Sequence, residues 1–483
     1  MTWAGDRWKL SLGSIAALAF ALRIWHLGAR SLWMDEGDSV GFARMSWLAF
    51  FHLLNVREVN MALYYVFLRG WLHLGDSEFF LRLPSVIFGT AAIVVTCIFA
   101  ARVLSRPVAV IAGILMTFNV LALRYDREVR SYALLLLCTA WSWLAYERAV
   151  RGGTRRDLVV WTLISVLGVY AHMFAALAFL SQVVCLAFAG IDAERRKSFA
   201  AATAAYFALI SPLIVIVLRM PQDPLLWVHP LGREGFSIFA KDFFNGGAMQ
   251  TAIALLLLAA SVVILALAPR EQRWSISTAV LGALVPILVT ALVSLVKPTF
   301  IARYLLVALP SYAIAIAIPL ARLPRKALTV AAVCVIVLLG LPLLRDYERE
   351  PAENDFRGAV AFIVERAQPG DVIMIWEPLS RPAVEYYVSR QPTGRPFPEI
   401  IFPGEQRPLV AEDVFAKPVP REIDALCDRY DRVWILYNVD FPPDQYYIWH
   451  TFFVRRVSQH HHLVSRIAIK GRAGIQVMEY VRP

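Results

Sequence analysis

The sequence predicts a polytopic α-helical membrane protein with a soluble α/β domain at its C-terminal end. Of the 483 residues, 58% are hydrophobic and only 18% are charged, and the mean hydropathy is +0.57. That ratio leaves too little polar surface for a soluble protein. About eleven apolar segments are long enough to cross a bilayer, and a mixed polar composition begins only after residue 345.

A spanning helix needs about 20 apolar residues, and the candidate segments approach that length. They are 10–27, 84–101, 107–123, 131–147, 157–171, 173–190, 199–218, 249–268, 275–296, 302–321 and 326–344. The first has the basic-then-apolar shape of a signal peptide without a convincing cleavage site, so it is predicted to be retained. Segment 62–75 is interrupted by Arg69 and His73 and is predicted to be an amphipathic helix at the interface.

Basic residues recur in alternate short loops, which the positive-inside rule places in the cytoplasm. These loops contain Arg7, Arg102, Arg148, Arg195, Arg270 and Arg322, among others. Loops 28–83, 124–130, around 172, 219–248 and 297–301, and the chain after the last span, then lie on the periplasmic side. Since the net charge of +11 is spread over many loops, no nucleic-acid partner is predicted.

The sequence divides at about residue 345 into a membrane part, 1–345, and a soluble part, 346–483. In the soluble part a helix, a Pro-Gly turn, the strand "DVIMIW" and a second helix follow one another. A further helix–strand unit and two strand-like segments, 463–469 and 474–481, close the chain. This domain has no glycine-rich phosphate loop, so no catalysis is assigned to it. Five cysteines form no disulfide framework and no Cys-x-x-Cys pair.

Four polar clusters fall at the outer membrane surface, where charges are costly and tend to be functional. The first is Asp35–Glu36 in "SLWMDEGDSV", directly after the first span. A carboxylate there can take a proton from an acceptor hydroxyl or amine. The alternative is a solvated turn with acids that cap a helix.

The second cluster is "RYDREVRSYALLLL", residues 124–137. Glu128 and Tyr132 share a face if the segment is helical, and Arg130 offers a planar fork suited to phosphate oxygens. The alternative is an acid–arginine network that only holds the hairpin closed.

The remaining clusters are His172 in "LGVYAHMF" and the segment "KPTFIARYLLVALP", which contains Lys297, Arg303 and Tyr304. His172 is a candidate phosphate contact or metal ligand, or else a structural histidine. Lys297 and Arg303 are candidate cations for a phosphate-bearing lipid, and snorkelling to lipid headgroups is their ordinary explanation.

Several stretches in this order make the chain similar to bacterial membrane glycosyltransferases of the C fold. It resembles the group of protein O-mannosyltransferases and lipid A aminoarabinose transferases, glycosyltransferase family 39. The matching stretches are "LRIWHLGARSLWMDEGDSV", "ALYYVFLRGWLHLGDSEFFLRLPSVIFG", "REVRSYALLLL", "GVYAHMFAALAFL" and "FIARYLLVALP", with "NDFRGAVAFIVERAQPGDVIMI" in the tail.

The resemblance implies roles for the clustered residues. Asp35 and Glu36 would be the catalytic pair, with Asp35 as base and Glu36 positioning the acceptor or a metal. Arg130, Arg303 and Lys297 would bind the donor phosphate. The pocket would be lined by Glu128, Tyr132, His172, Tyr304 and Asn60. A divalent metal cation is left open, with Asp35, Glu128 and His172 as candidate ligands.

One stretch departs from the family pattern. Many relatives have a His-Pro-Pro-Leu-Tyr-Tyr-like sequence before the amphipathic helix, and here it reads "VNMALYY", with Asn60 the only polar side chain left. Any role of that histidine and those prolines therefore does not transfer to this chain.

The resemblance implies an inverting glycosyltransferase of the bacterial inner membrane. It would move a sugar from a polyprenyl-phosphate donor to a lipid, polysaccharide or protein acceptor on the periplasmic side, among membrane lipids. The alternative from another class is a transporter or flippase of lipid-linked saccharides, which would need charges at the midplane of several spans. A silent scaffold for envelope assembly is a third hypothesis, and it would require Asp35 to be dispensable.

Overall fold

A computed structural model describes residues 2–56, 58–220, 228, 230–375, 378–391, 398–402, 420–438 and 454–483. The α-helices of these residues are α1 (Thr2–Ile24), α2 (Met34–Arg44), α3 (Trp47–Val56), α4 (Ala62–Trp71), α5 (Glu78–Val103), α6 (Arg106–Thr117), α7 (Val120–Tyr125), α8 (Tyr132–Gly152), α9 (Arg155–Ala171), α10 (Ala175–Cys185), α11 (Ala193–Arg219), α12 (Arg233–Phe243), α13 (Ala248–Leu267), α14 (Arg270–Ser294), α15 (Leu309–Ala321), α16 (Lys326–Arg349), α17 (Phe356–Arg366), α18 (Arg381–Val388) and α19 (Pro420–Arg429).

Each predicted apolar segment overlaps at least one of these helices, and segment 107–123 is divided between α6 and α7. Within the described residues, six helical segments are by length and composition able to cross a membrane. They are Glu78–Val103, Ala193–Arg219, Ala248–Leu267, Arg270–Ser294, Ala302–Ala321 and Lys326–Arg349. The chain is a multi-pass membrane protein.

Three helices between the apolar segments were not predicted. They are α2, α3 and α12, and α2 carries the acidic pair in its first turn. The predicted amphipathic helix is α4, which ends at Trp71. Its inner face, Tyr64, Tyr65 and Leu68, is fully buried, so α4 packs on that side against other helices rather than only against the bilayer surface.

The C-terminal part contains a five-stranded sheet, which confirms the predicted α/β character. Its strands are β1 (Val372–Ile375), β2 (Glu399–Phe402), β3 (Arg432–Asn438), β4 (His462–Ile469) and β5 (Ile475–Val481), in the order β2-β1-β3-β5-β4. Strand β1 is parallel to β2 and β3, and β5 is antiparallel to β3 and β4. Strand β2 was not predicted, and α16 runs past the predicted boundary at 345.

Candidate active site

Asp35 lies between two guanidinium groups that come from distant parts of the chain. Its Oδ2 atom is 3.6 Å from Arg130 Nη2 and 3.9 Å from Arg303 Nη1. Asp35 is on the first turn of α2, where the helix dipole favours a carboxylate. Arg130 follows α7, and Arg303 is on a 3-10 helix, Ala302–Ala308. The structure thus brings together three of the predicted site residues.

Arg130 also holds the backbone that carries Asp35. Its Nη1 atom donates to the Asp35 carbonyl at 3.3 Å and to Ser39 Oγ at 3.4 Å. Ser39 Oγ in turn donates to the Asp35 carbonyl at 2.9 Å. Within the described residues, the buried Nε atom of Arg130 has no hydrogen-bond partner. A donor of this kind is available to an oxygen atom of a ligand.

Glu36 is fully buried and has a different role from its neighbour. Oε1 accepts from Arg82 Nε at 2.7 Å and from the Val129 backbone at 2.9 Å. Oε2 accepts from Arg82 Nη2 at 2.6 Å and from the Trp33 backbone at 3.3 Å. All four acceptor positions of a carboxylate are then occupied, which argues against the predicted catalytic role of Glu36. It connects α2, α5 and the loop before α8.

The loop before α8, residues 126–131, is held in place by contacts with α1 and α5. Asp126 and Arg23 form a fully buried ion pair at 2.7 Å. A Cβ atom at Gly89 would lie 2.1 Å from the Asp126 Cγ atom, so only glycine leaves room for this carboxylate. Ser85 Oγ donates to the Glu128 carbonyl at 2.6 Å. These contacts fix the backbone of the loop that carries Glu128 and Arg130.

His172, Tyr132 and Tyr304 form an aromatic wall beside the arginines. The His172 ring centroid is 5.5 Å from that of Tyr132 and 5.3 Å from that of Tyr304. Burial, with Arg130 and Arg303 close by, lowers the pKa of His172 to about 3, so the ring is neutral at pH 7. Asn60 Nδ2 lies 3.3 Å from His172 Nε2, and Asn60 Oδ1 accepts from the Met173 backbone.

A cavity of about 270 Å³ lies between the membrane helices and the C-terminal part, and of the predicted site residues Glu36, Glu128 and Arg303 line it. Its charged lining consists of Arg30, Glu36, Arg82, Arg124, Arg127, Glu128, Asp242, Arg303, Glu350, Glu353 and Arg472. Burial and the nearby Glu36 carboxylate raise the pKa of Glu128 to about 8. Burial also raises the pKa of Asp242. The lining contains six arginines and five carboxyl groups, so its net charge is positive, and a protonated Glu128 makes it more positive.

The predicted metal ligands do not converge on a common point. Among the described residues, no group of three or more His, Cys, Asp or Glu side chains is arranged to hold a metal ion. Asp35 faces two arginines, His172 faces Asn60, and Glu128 lines the cavity. The candidate set Asp35, Glu128 and His172 therefore does not fit a metal ion.

One predicted site residue, Lys297, lies away from the cavity, and some residues that support the site were not predicted. Lys297 is exposed and does not line the cavity, so its predicted phosphate contact stays a prediction. Sequence reasoning missed Arg82 and Ser39. Arg82 offered a signal, because it is a lone arginine near the start of an apolar span. Ser39 is an ordinary helical residue in the sequence and offered none.

Comparison with known proteins agrees with this architecture. Residues 62–218 match the family model of dolichyl-phosphate-mannose-protein mannosyltransferases. No curated protein sequence matches the chain. The structure of ArnT from Cupriavidus metallidurans in the apo state is similar, with a TM-score of 0.61, 12% identity and 98% of each chain covered.

Two further structures are also similar. ArnT from the same organism bound to undecaprenyl phosphate has a TM-score of 0.59 at 13% identity, covering 96% of this chain and 97% of that one. The Archaeoglobus fulgidus oligosaccharyltransferase in complex with Zn and sulfate has a TM-score of 0.55 at 13% identity. The match covers 98% of this chain and 73% of the oligosaccharyltransferase chain.

Fold and site together define a multi-pass membrane protein with the C-type glycosyltransferase fold. Within that class, the chain resembles the dolichyl-phosphate-mannose-protein mannosyltransferase family over 62–218 and ArnT over nearly its full length. The fold that the sequence resemblance implied is thereby confirmed.

Proposed function

We propose that this protein is an inverting glycosyltransferase of the bacterial inner membrane. It takes a sugar from a polyprenyl-phosphate donor and transfers it to an acceptor at the periplasmic face. The observation that carries the proposal is the position of the Asp35 carboxylate, 3.6 Å from Arg130 and 3.9 Å from Arg303. Similarity to an ArnT structure that holds undecaprenyl phosphate supports the class of donor.

The two arginines suit the leaving group. When the bond between the anomeric carbon and the phosphate oxygen breaks, polyprenyl phosphate departs with the electron pair and its negative charge grows. Fixed guanidinium groups in a site shielded from water stabilise such charge strongly. The Nε atom of Arg130, buried and without a partner among the described residues, provides a further donor for a phosphate oxygen.

Asp35 suits the acceptor side of the same reaction. The acceptor oxygen or nitrogen forms the new bond to the anomeric carbon, and its proton passes to the Asp35 carboxylate. Inversion requires that base and leaving group lie on opposite faces of the sugar. We therefore place the sugar between Asp35 and the phosphate, in the part of the cavity bounded by Arg303 and Glu128. A lipid, polysaccharide or protein acceptor would reach it from the periplasm.

The test compares wild type with Asp35→Asn, each incubated with radiolabelled polyprenyl-phosphate sugars and an envelope extract. Wild type should transfer label and Asp35→Asn should lose at least about a hundredfold in rate, as expected for a general base. The matched control is Asp431→Asn, because Asp431 is 86% exposed and pairs with Arg482 at the C-terminal end of the chain. If Asp35→Asn and wild type behave alike, Asp35 is not the base and the transporter hypothesis gains ground.

A further inference from the structure

The residues that lead into α2 are hydrogen-bonded to the C-terminal part of the chain. The Leu32 backbone N–H donates to the Tyr387 hydroxyl at 2.7 Å. The Met34 N–H donates to Asn354 Oδ1 at 3.4 Å, and the Arg357 N–H donates to Ser31 Oγ at 3.2 Å. Residues 31–34, which lead directly into Asp35, are thus held at three points by residues more than 300 positions away.

The side chain of Arg357 holds the residues just before this segment. Its guanidinium donates to the carbonyls of Ala29 at 3.2 Å and of Gly28 and Arg30 at 3.3 Å each. It also pairs with Glu78 at 2.8 Å, and the same carboxylate accepts from the Tyr387 hydroxyl at 3.1 Å. Arg357 and Tyr387 therefore act on residues 28–32 through one shared network.

Helix α18 touches α2 almost backbone to backbone. A Cβ atom at Gly37 would lie 2.5 Å from the Ala383 Cβ and 2.7 Å from its Cα. A Cβ atom at Gly41 would lie 2.9 Å from the Pro382 Cβ. Glycines four residues apart form one flat stripe on a helix, which permits this close approach.

The glycine stripe lies opposite the face that carries the chemistry. Asp35 and Ser39 are also four residues apart, and they face Arg130. Two residues along an α-helix correspond to a rotation of about 200°. Because α18 packs against Gly37 and Gly41 on the face of α2 opposite Arg130, a shift of α18 would displace α2 and Asp35 relative to Arg130.

We infer that the C-terminal part supplies residues that position the Asp35 carboxylate. The main ones are Tyr387, which binds the Leu32 backbone, and Ala383, which packs against Gly37. This inference rests on the proposed function, because it assigns these residues a part in the same transfer. Neither Tyr387 nor Ala383 is placed in contact with substrate. They act through α2, and a displacement of about 1 Å at a reacting group can cost a hundredfold in rate.

The experiment uses the full-length protein and two variants, Tyr387→Phe and Gly37→Ala. Tyr387→Phe keeps the ring and removes the hydroxyl, which accepts from the Leu32 N–H and donates to Glu78. Its control is Tyr480→Phe, a buried tyrosine of β5 in a separate core of the C-terminal part. The control for Gly37→Ala is Gly70→Ala, because Gly70 is helical with open space where its Cβ would lie.

Two readouts are measured. Hydrogen exchange of the Leu32 amide should accelerate roughly tenfold in Tyr387→Phe, as expected when a buried hydrogen bond is lost, and remain unchanged in Tyr480→Phe. Transfer kinetics should show kcat lowered about tenfold in both variants, with the donor KM within about twofold of wild type. A change in KM alone would indicate a donor contact instead.

The outcomes separate the two proposals. Unchanged exchange in Tyr387→Phe overturns the inference, whether or not transfer is detected. Faster exchange with unchanged kcat also overturns it, since the contact would then be structural only. If both variants match their controls in transfer while Asp35→Asn is inactive, the positioning role fails and the proposed function stands. If Asp35→Asn stays active, the proposed function itself fails.

Discussion

Asp35 and Glu36 are adjacent in the sequence and have opposite surroundings. The side chain of Asp35 is 18% exposed and faces two arginines at 3.6 and 3.9 Å. The side chain of Glu36 is buried and pairs with Arg82 at 2.6 Å. A carboxylate whose lone pairs are all occupied cannot accept a substrate proton. On α2 the two side chains point about 100° apart, so Asp35 faces Arg130 and Arg303, whereas Glu36 faces Arg82 on α5.

Glu128 provides a prediction at the residue scale. Its pKa is raised to about 8, chiefly by burial, so the carboxyl is neutral at pH 7 and becomes charged as the pH rises through 8. A new negative charge near Arg303 should weaken binding of undecaprenyl phosphate between pH 7 and 9. In Glu128→Gln this loss should disappear.

The measurement is a titration with undecaprenyl phosphate at pH 7, 8 and 9, reported as the ratio of wild-type to Glu128→Gln affinity. Ionisation of the lipid phosphate affects both proteins and cancels in the ratio. The ratio should fall severalfold across the range. A ratio that stays constant would show that Glu128 is ionised throughout, or that it is remote from the phosphate.

The raised pKa also affects stability. The folded protein holds the Glu128 proton up to about pH 8, while the unfolded chain releases it near 4.5. The associated stabilisation is therefore fully present below pH 4.5 and is lost as the pH rises through 8. Because Glu128→Gln lacks this group, its stability should vary less with pH over the same interval.

At the level of elements, apolar periodicity was sufficient to locate the long helices. It could not locate α2, whose sequence "MDEGDSVGFAR" has no apolar stripe and which is held by Arg82, Arg130 and α18. Residue types at the membrane boundary predicted Asp35, Arg130 and Arg303 as site residues, and the structure places both arginines within 4 Å of Asp35. They could not show that Glu36 pairs with Arg82, because no local pattern connects residues 46 positions apart.

Gly89 is one of the residues through which helix α5 supports the site, and it gives a prediction. Gly89→Ala would place a methyl group 2.1 Å from the Asp126 Cγ atom, so the carboxylate and its partner Arg23 must shift. Breaking a buried ion pair typically costs about 3–5 kcal/mol. We expect a lower thermal unfolding midpoint and weaker undecaprenyl phosphate binding, because the loop carrying Arg130 moves.

The control for this change is Gly13→Ala on α1, where the added Cβ meets no atom within 4 Å. Both substitutions replace a helical glycine by a better helix former, so propensity alone would stabilise both. If Gly89→Ala were as stable as Gly13→Ala, the space at Gly89 would not be required by Asp126.

For the whole molecule, contacts fix which parts share a side of the membrane. Tyr387 binds the Leu32 backbone and Arg390 pairs with Asp76 at 2.6 Å. The C-terminal part and both ends of the segment between α1 and α5 are consequently on one side, whatever the orientation. In the predicted topology the basic loops of alternate connections lie at the other ends of the helices, where the positive-inside rule predicts the cytoplasm.

This orientation can be tested with single cysteine substitutions at two exposed residues, Lys470→Cys between β4 and β5 and Arg156→Cys in the first turn of α9. A membrane-impermeant maleimide should label Lys470→Cys in cells with a permeable outer membrane and an intact inner membrane. Arg156→Cys should react only after the inner membrane is opened. The five native cysteines are four buried thiols and Cys334, which is exposed on α16, so the unsubstituted chain provides the background. Labelling of Arg156→Cys alone in intact cells would invert the orientation and place the Asp35 site in the cytoplasm, where a periplasmic acceptor could not reach it.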